Sequence, residues 1–228
     1  MSRLPACAGR LAACLVDTCL VAAVLLVALA VDARAERPGT FDYYVLSLSW
    51  SPSYCARAGR NADPTQCRAA KPFRFIVHGL WPQYENGYPD FCEVSEPRDP
   101  ADATIRKTLD IMPSRGLVRH QWRKHGSCSG LAPDAYFALA RRAFSKIRIP
   151  AAFATTESGG RVAPDAVETA FRLANPGLRD NAMAVMCKQG RLSEVRICLT
   201  RDLEFRSCRS VDRRGCRQGQ IHVPAPGR

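Results

Sequence analysis

The chain has 228 residues, 46% of them hydrophobic, and a formal charge of +12 from 33 Lys and Arg against 21 Asp and Glu. That length favours one domain with appendages over several domains. The charge implies attraction to a polyanion or an anionic surface and says nothing of fold, and part of it follows from an Arg- and Ala-rich composition.

Residues 1–35 read as a different polymer from the rest. Arg3 and Arg10 precede an apolar run at 20–31, and Ala33-Arg34-Ala35 follows as a small-x-small cleavage site, the pattern of a secretory signal removed after Ala35. The run is too short to span a bilayer comfortably, so no membrane anchor is expected once the leader is gone. Its removal leaves eight cysteines: Cys55, Cys67, Cys92, Cys128, Cys187, Cys198, Cys208 and Cys216. An even number in an exported chain, periplasmic or extracellular, reads as a disulfide framework, with many pairings open.

Residues 41–50 alternate, with Tyr44, Leu46, Leu48 and Trp50 on one side and Val45, Ser47 and Ser49 on the other, as in a strand with one apolar face. A polar loop is expected next, in which Cys55 and Cys67 are candidates for a local disulfide. A second strand at 73–78 stops at Gly79 and leaves His78 at its end. A long loop rich in Pro, Gly, Asn and Tyr follows at 82–100, anchored by Cys92.

Helices are expected over 101–112, through the stretch ending at His125 with Gly126 as a left-handed stop, from Pro133, and from Pro164 to Asn175-Pro176-Gly177. Residues 182–187 and 192–200 alternate around a Gln189-Gly190 turn, and 203–205 suggest a short third strand. Residues 218–228 read as a flexible C-terminal tail. Helices in the middle and strands at both ends predict an α+β fold: a central antiparallel β-sheet flanked by several helices, stapled by disulfides into a single domain.

Two short blocks carry the chemistry. At about 100° per residue, with His120 at zero, Lys124 falls near 40°, Gln121 near 100° and His125 near 140°, so one helical face holds four groups able to carry a proton or bind an anion. Trp122 points to the neighbouring face as a core anchor. The other block, Phe75-Ile-Val-His-Gly-Leu-Trp-Pro82, supplies His78, a glycine that permits close approach, and Trp81. Before Gln220 the exported part holds three histidines, and all three lie in these two blocks.

The blocks resemble the two active-site segments of the ribonuclease T2 family, secreted endoribonucleases that need no metal. The flanks agree: Phe41-Asp-Tyr-Tyr before Trp50 and Cys55, Gly87-Tyr88-Pro89 before Cys92, Ala174-Asn-Pro-Gly-Leu178, and Arg196-Ile-Cys198. The resemblance covers essentially the whole exported chain and implies a ribonuclease domain at 36–217, without cofactor or metal. It also implies a monomer that acts on single-stranded RNA with low base specificity.

Cleavage through the 2′-hydroxyl needs a base, an acid for the departing 5′-oxygen, and a cation for the charge that builds on phosphorus; two histidines and a lysine meet those needs. The resemblance implies His125 as base and His78 as acid in the first step, Lys124 beside the phosphorane, and His120 on the phosphate. The product would be a 2′,3′-cyclic phosphate, hydrolysed more slowly to a 3′-phosphate. Trp81 has two readings, a platform for base stacking and a packing residue; Tyr88 is a further base-site candidate.

Gln121 stands where most relatives carry glutamate. An amide there can donate to phosphate but cannot take up a proton, which weakens the charge tuning of His120 and His125 and keeps open a catalytically weakened RNA-binding or inhibitory member as the alternative. The resemblance further implies bonds Cys55–Cys67 and Cys92–Cys128, with Cys187–Cys216 enclosing Cys198–Cys208. A zinc site from His120, His125 and Cys128 is the other rival; the spacing is unlike known zinc patterns, and Lys124 would repel the ion.

Overall fold

The computed structural model describes residues 37–95, 97–155 and 159–227, so the expected leader lies outside the described residues. The chain forms an α+β domain around one sheet. Six strands, β1 (Tyr43–Trp50), β2 (Phe75–Gln83), β3 (Gly160–Val162), β4 (Met183–Lys188), β5 (Arg191–Leu199) and β6 (Ile221–Val223), run in the order β2-β1-β5-β6-β3, and β4 also pairs with β5. Pairing is antiparallel except where β6 meets β5 in parallel at Arg191 and His222.

The alternation of β1 decides what each face of the sheet does. Tyr44, Leu46, Leu48 and Trp50 enter the main core. On the opposite face Tyr43 and Val45 are covered by a small cluster with Ala184, Cys198, Cys208 and Val211. Further along that face β1 carries only Ser47 and Ser49, small side chains that leave room above the sheet.

Five helices of seven or more residues are described: α1 (Ser51–Ala58), α2 (Asp102–Thr108), α3 (Arg115–Lys124), α4 (Pro133–Lys146) and α5 (Pro164–Ala174). Buried residues recur at helical spacing, Tyr136, Phe137, Ala140 and Ala143 in α4 and Val167 and Phe171 in α5, so each amphipathic face packs on the core. The Tyr136 hydroxyl donates to the Leu80 carbonyl at 2.7 Å and ties α4 to β2. Among the described residues no helix is long and apolar enough to cross a membrane.

The disulfides join Cys55 to Cys67, Cys92 to Cys128, Cys187 to Cys216 and Cys198 to Cys208. Several expectations need correction. The segment with Cys55 is helix α1, not loop, because Pro52 sits in the first turn, where its missing N–H costs nothing. Helix α2 ends at Thr108, short of 112, and residues 203–205 make only one bridge, Leu199 to Phe205.

Gly126 is not a left-handed stop. The chain runs on into a 3-10 turn at Gly126–Ser129, and Gly130 takes the positive φ of 75°. A Cβ on Gly126 would lie 2.6 Å from the Trp122 ring and 2.9 Å from that of Tyr136, so glycine is needed there for packing. Of the expected flexible tail at 218–228, the described residues 218–227 are not loose: β6 belongs to the sheet, with Ile221 and Val223 buried, and the Trp50 indole donates to the Pro224 carbonyl at 3.0 Å.

Candidate active site

Helix α3 is fixed at both ends. Ser114 caps its start, accepting from the Leu117 N–H at 3.2 Å. Val118 and Trp122, four apart, anchor its inner face. At its far end His125 leaves helical geometry as the cap, Cys128 is bonded to Cys92, and the Phe91 N–H donates to the Lys124 carbonyl at 2.9 Å. The same bond takes the Cys128 sulfur away from any metal-ligand set.

Strand β2 does not end at His78; it continues through Gly79 to Gln83. Ser47 of β1 faces Gly79, whereas Leu48 faces Val77, so His78 is the extra residue of a β-bulge. Bulges re-aim side chains, and this one leaves His78 a third exposed between residues of the sheet. A Cβ on Gly79 would overlap both the Gln121 side-chain oxygen and the Trp81 indole nitrogen, which is why β2 and α3 can approach so closely.

The two elements together wall a cleft of about 300 Å³, lined by His78, Trp81, Tyr88, His120, Gln121, Lys124 and His125. All the sequence-derived site residues therefore meet in one place. Trp81 stands between the imidazoles, edge-on to His78 with ring centroids 5.3 Å apart and stacked with His125 at 5.2 Å. Its indole N–H donates to the Gln121 side-chain oxygen at 2.7 Å, and the Arg196 guanidinium lies 5.0 Å from its ring centre. Tyr88 is open to solvent, 6.2 Å from the His125 ring, with Lys124 Nζ over its face at 5.7 Å.

The histidines sit in different electrostatic settings. His125 is buried, and its Nδ1 has no hydrogen-bond partner. Burial, then the charges of Lys124, His78 and His120, push its pKa down to about 3, so it is neutral at ordinary pH. Exposed His120 is lowered as well, by partial burial first and then by Lys124, His78 and Arg123. His78 instead places Nδ1 2.6 Å from Glu194 Oε1. Burial works against the charge on Glu194, yet the His78 hydrogen bond and charge, with Arg196, hold its carboxyl down at about 2.

Sequence reasoning did not find Glu194, Arg196 or Arg214. Glu194 and Arg196 lie on the polar side of β5, where charged residues look like a solvated face, and Arg214, which also lines the cleft, lies beyond the recognisable blocks. A second hollow of about 460 Å³ opens on the other side of His78, with Arg57, Lys188 and Arg196 among its lining residues. Neutral and carboxylate-paired imidazoles around a cationic cleft can exchange protons with a bound anion.

The family model described as the ribonuclease T2 family matches residues 41–208. A ribonuclease of Aeromonas hydrophila is 37% identical over 177 residues, which is 76% of this chain and 78% of that one. Ribonuclease I of Escherichia coli (strain K12) is 29% identical over 213 residues, 74% and 79% of the respective chains. Among solved structures, the RNase-related protein from Calystegia sepium shares the fold, with TM-score 0.65 over 82% of this chain and 98% of its own at 20% identity. With a match of this extent to the family and a cleft that gathers its two sequence blocks, the chain belongs to the ribonuclease T2 family and is a T2-type endoribonuclease.

Proposed function

We propose that this endoribonuclease cleaves single-stranded RNA by transesterification, giving a 2′,3′-cyclic phosphate that is then hydrolysed to a 3′-phosphate. The observation that carries the reading is the asymmetry of the two imidazoles across Trp81. His125, neutral in its buried position, takes the 2′-hydroxyl proton; the oxygen attacks phosphorus while Lys124 offsets the charge on the phosphorane. His78, facing a carboxylate, delivers a proton to the 5′-oxygen as it leaves. Hydrolysis exchanges the two roles. His120 binds a phosphate oxygen from the exposed face of α3, and Gln121 holds Trp81 against His125.

Low base specificity fits a cleft whose open aromatic is Tyr88, since stacking tolerates every base. Trp81, in contact with Arg196, His78 and His125, serves better as the partition between the imidazoles than as a free platform. Export as a monomer is supported by the leader pattern and by four disulfides, which suit an oxidising compartment, and by a cleft built from one chain. The alternative, a weakened RNA-binding member, rests on Gln121.

The test is purified protein with a dinucleoside phosphate or homopolymeric RNA and chelator present, scored for cyclic phosphate. Accumulation of that product, abolished in both His78→Ala and His125→Ala, is expected. Binding without turnover would favour the alternative, and turnover in either variant would remove that histidine from the mechanism.

A further inference from the structure

The cleft explains where His78 points but not what holds it there. His78 is the bulged residue of β2, free of the ladder that fixes its neighbours. A second irregularity faces it on β5: Met186 of β4 pairs with Glu194 but Cys187 with Leu192, so Ser193 is the extra residue just before Glu194. These two departures from regular pairing, on strands either side of β1, bring His78 and Glu194 together across the face that carries Ser47 and Ser49.

The carboxylate is itself fixed. One oxygen, Oε1, lies 2.6 Å from His78 Nδ1. The other, Oε2, accepts from Arg196 at 2.9 Å through Nε and 2.7 Å through a terminal nitrogen. The Glu194 side chain is only 13% exposed. A buried carboxylate clamped by a two-pronged guanidinium has little freedom to turn, so the imidazole bonded to it has little as well.

We propose that Glu194, clamped by Arg196, is the positioning residue for His78, fixing the tautomer with hydrogen on Nδ1 and presenting Nε2 to the leaving group; this rests on the reading of His78 as the acid. As the P–O5′ bond breaks, its electron pair stays on oxygen and the Nε2 proton moves to that oxygen. The Nδ1 proton remains on His78, shared with Glu194, and the imidazole becomes neutral. The carboxylate thus offsets the imidazolium before the step and orients the ring throughout, as a third group orients the base in nucleophilic triads.

The experiment compares two substrates for the intact enzyme: a dinucleoside phosphate, whose leaving alkoxide needs a proton, and uridine 3′-(4-nitrophenyl phosphate), whose leaving phenolate does not. For Glu194→Gln, kcat on the dinucleoside phosphate is expected to fall about 10- to 100-fold, part of what a positioned acid contributes. KM should hold, and the loss on the nitrophenyl ester should nearly vanish. His78→Ala should give the same split, more deeply, and Glu194→Asp should recover part of the rate. Should Glu194→Gln fail to fold, the Glu194→Asp substrate ratio carries the test.

Unchanged dinucleotide turnover in Glu194→Gln, or equal losses on both substrates, overturns the inference while His78→Ala still shows the split. If His78→Ala itself loses equally on both, the acid assignment falls and the inference falls with it.

Discussion

Gln121 is 1% exposed and takes the Trp81 indole N–H at 2.7 Å, so a change there reaches both imidazoles that Trp81 separates. Every influence on His125 disfavours its charge: burial, then Lys124, His78 and His120. With its pKa near 3, His125 stays neutral and able to accept a proton well into acid. Gln121→Glu would add a buried negative charge beside it and favour the protonated ring. The acid limb of the pH–rate profile is therefore expected to move up by about one unit or more, since an opposite charge nearby shifts a pKa by about 1–3 units. Initial rates on a dinucleoside phosphate from pH 3 to 8 measure this; an unchanged profile would rule out tuning at position 121.

Strand β6 makes the last residues part of the sheet, with Ile221 fully buried and Val223 nearly so. A chain ending at Gln220 would lose both side chains from the core and the carbonyl that accepts from Trp50. At about 1.5–3 kcal/mol for each buried aliphatic side chain, the truncation should cost about 3–6 kcal/mol. Urea melts of the two chains test this, and coincident midpoints would mean that the strand contributes nothing. Three residues between Gly, Pro and Gln gave too short an alternation to be read as a strand; only the edge waiting for them makes them one. Elements with long alternation or clear helical spacing, β1, α4, α5 and the β4–β5 pair, were legible from sequence.

The extension of β2 past Gly79 was hidden by the bulge, which breaks the period of two where the strand matters most. Likewise the histidine blocks announced a site by the kinds of residue they gather. Glu194 did not, because its partnership with His78 spans 116 residues and exists only once β1 lies between them.

Taken whole, the molecule should be an acid-sensitive fold. The His125 pKa falls from an ordinary 6.5 to about 3 on folding, so between those values the unfolded chain binds a proton that the folded one refuses. That contribution is lost as pH drops below about 6.5. The Glu194 pKa falls from 4.5 to about 2, so its contribution is present above 4.5 and lost on the way down to 2. Both act in the same direction. Tm should decline in two stages on acidification, the first flattened in His125→Gln and the second in Glu194→Gln, as scanning calorimetry from pH 7 to 2.5 would record. A Tm that is flat between pH 6.5 and 4.5 would contradict the buried, neutral His125.

The bulge at His78 also sets the phase of its strand. Phe75 and Val77 face the core before it, and Leu80 faces the core after it, an interval of three where a regular strand allows only even steps. In a regular strand His78 and Leu80 would share one face; the bulge lets Leu80 enter the core while His78 turns to the cleft. The sheet thus keeps its hydrophobic frame on either side of a position it does not itself read, and the side chain at 78 is spelled by chemistry alone.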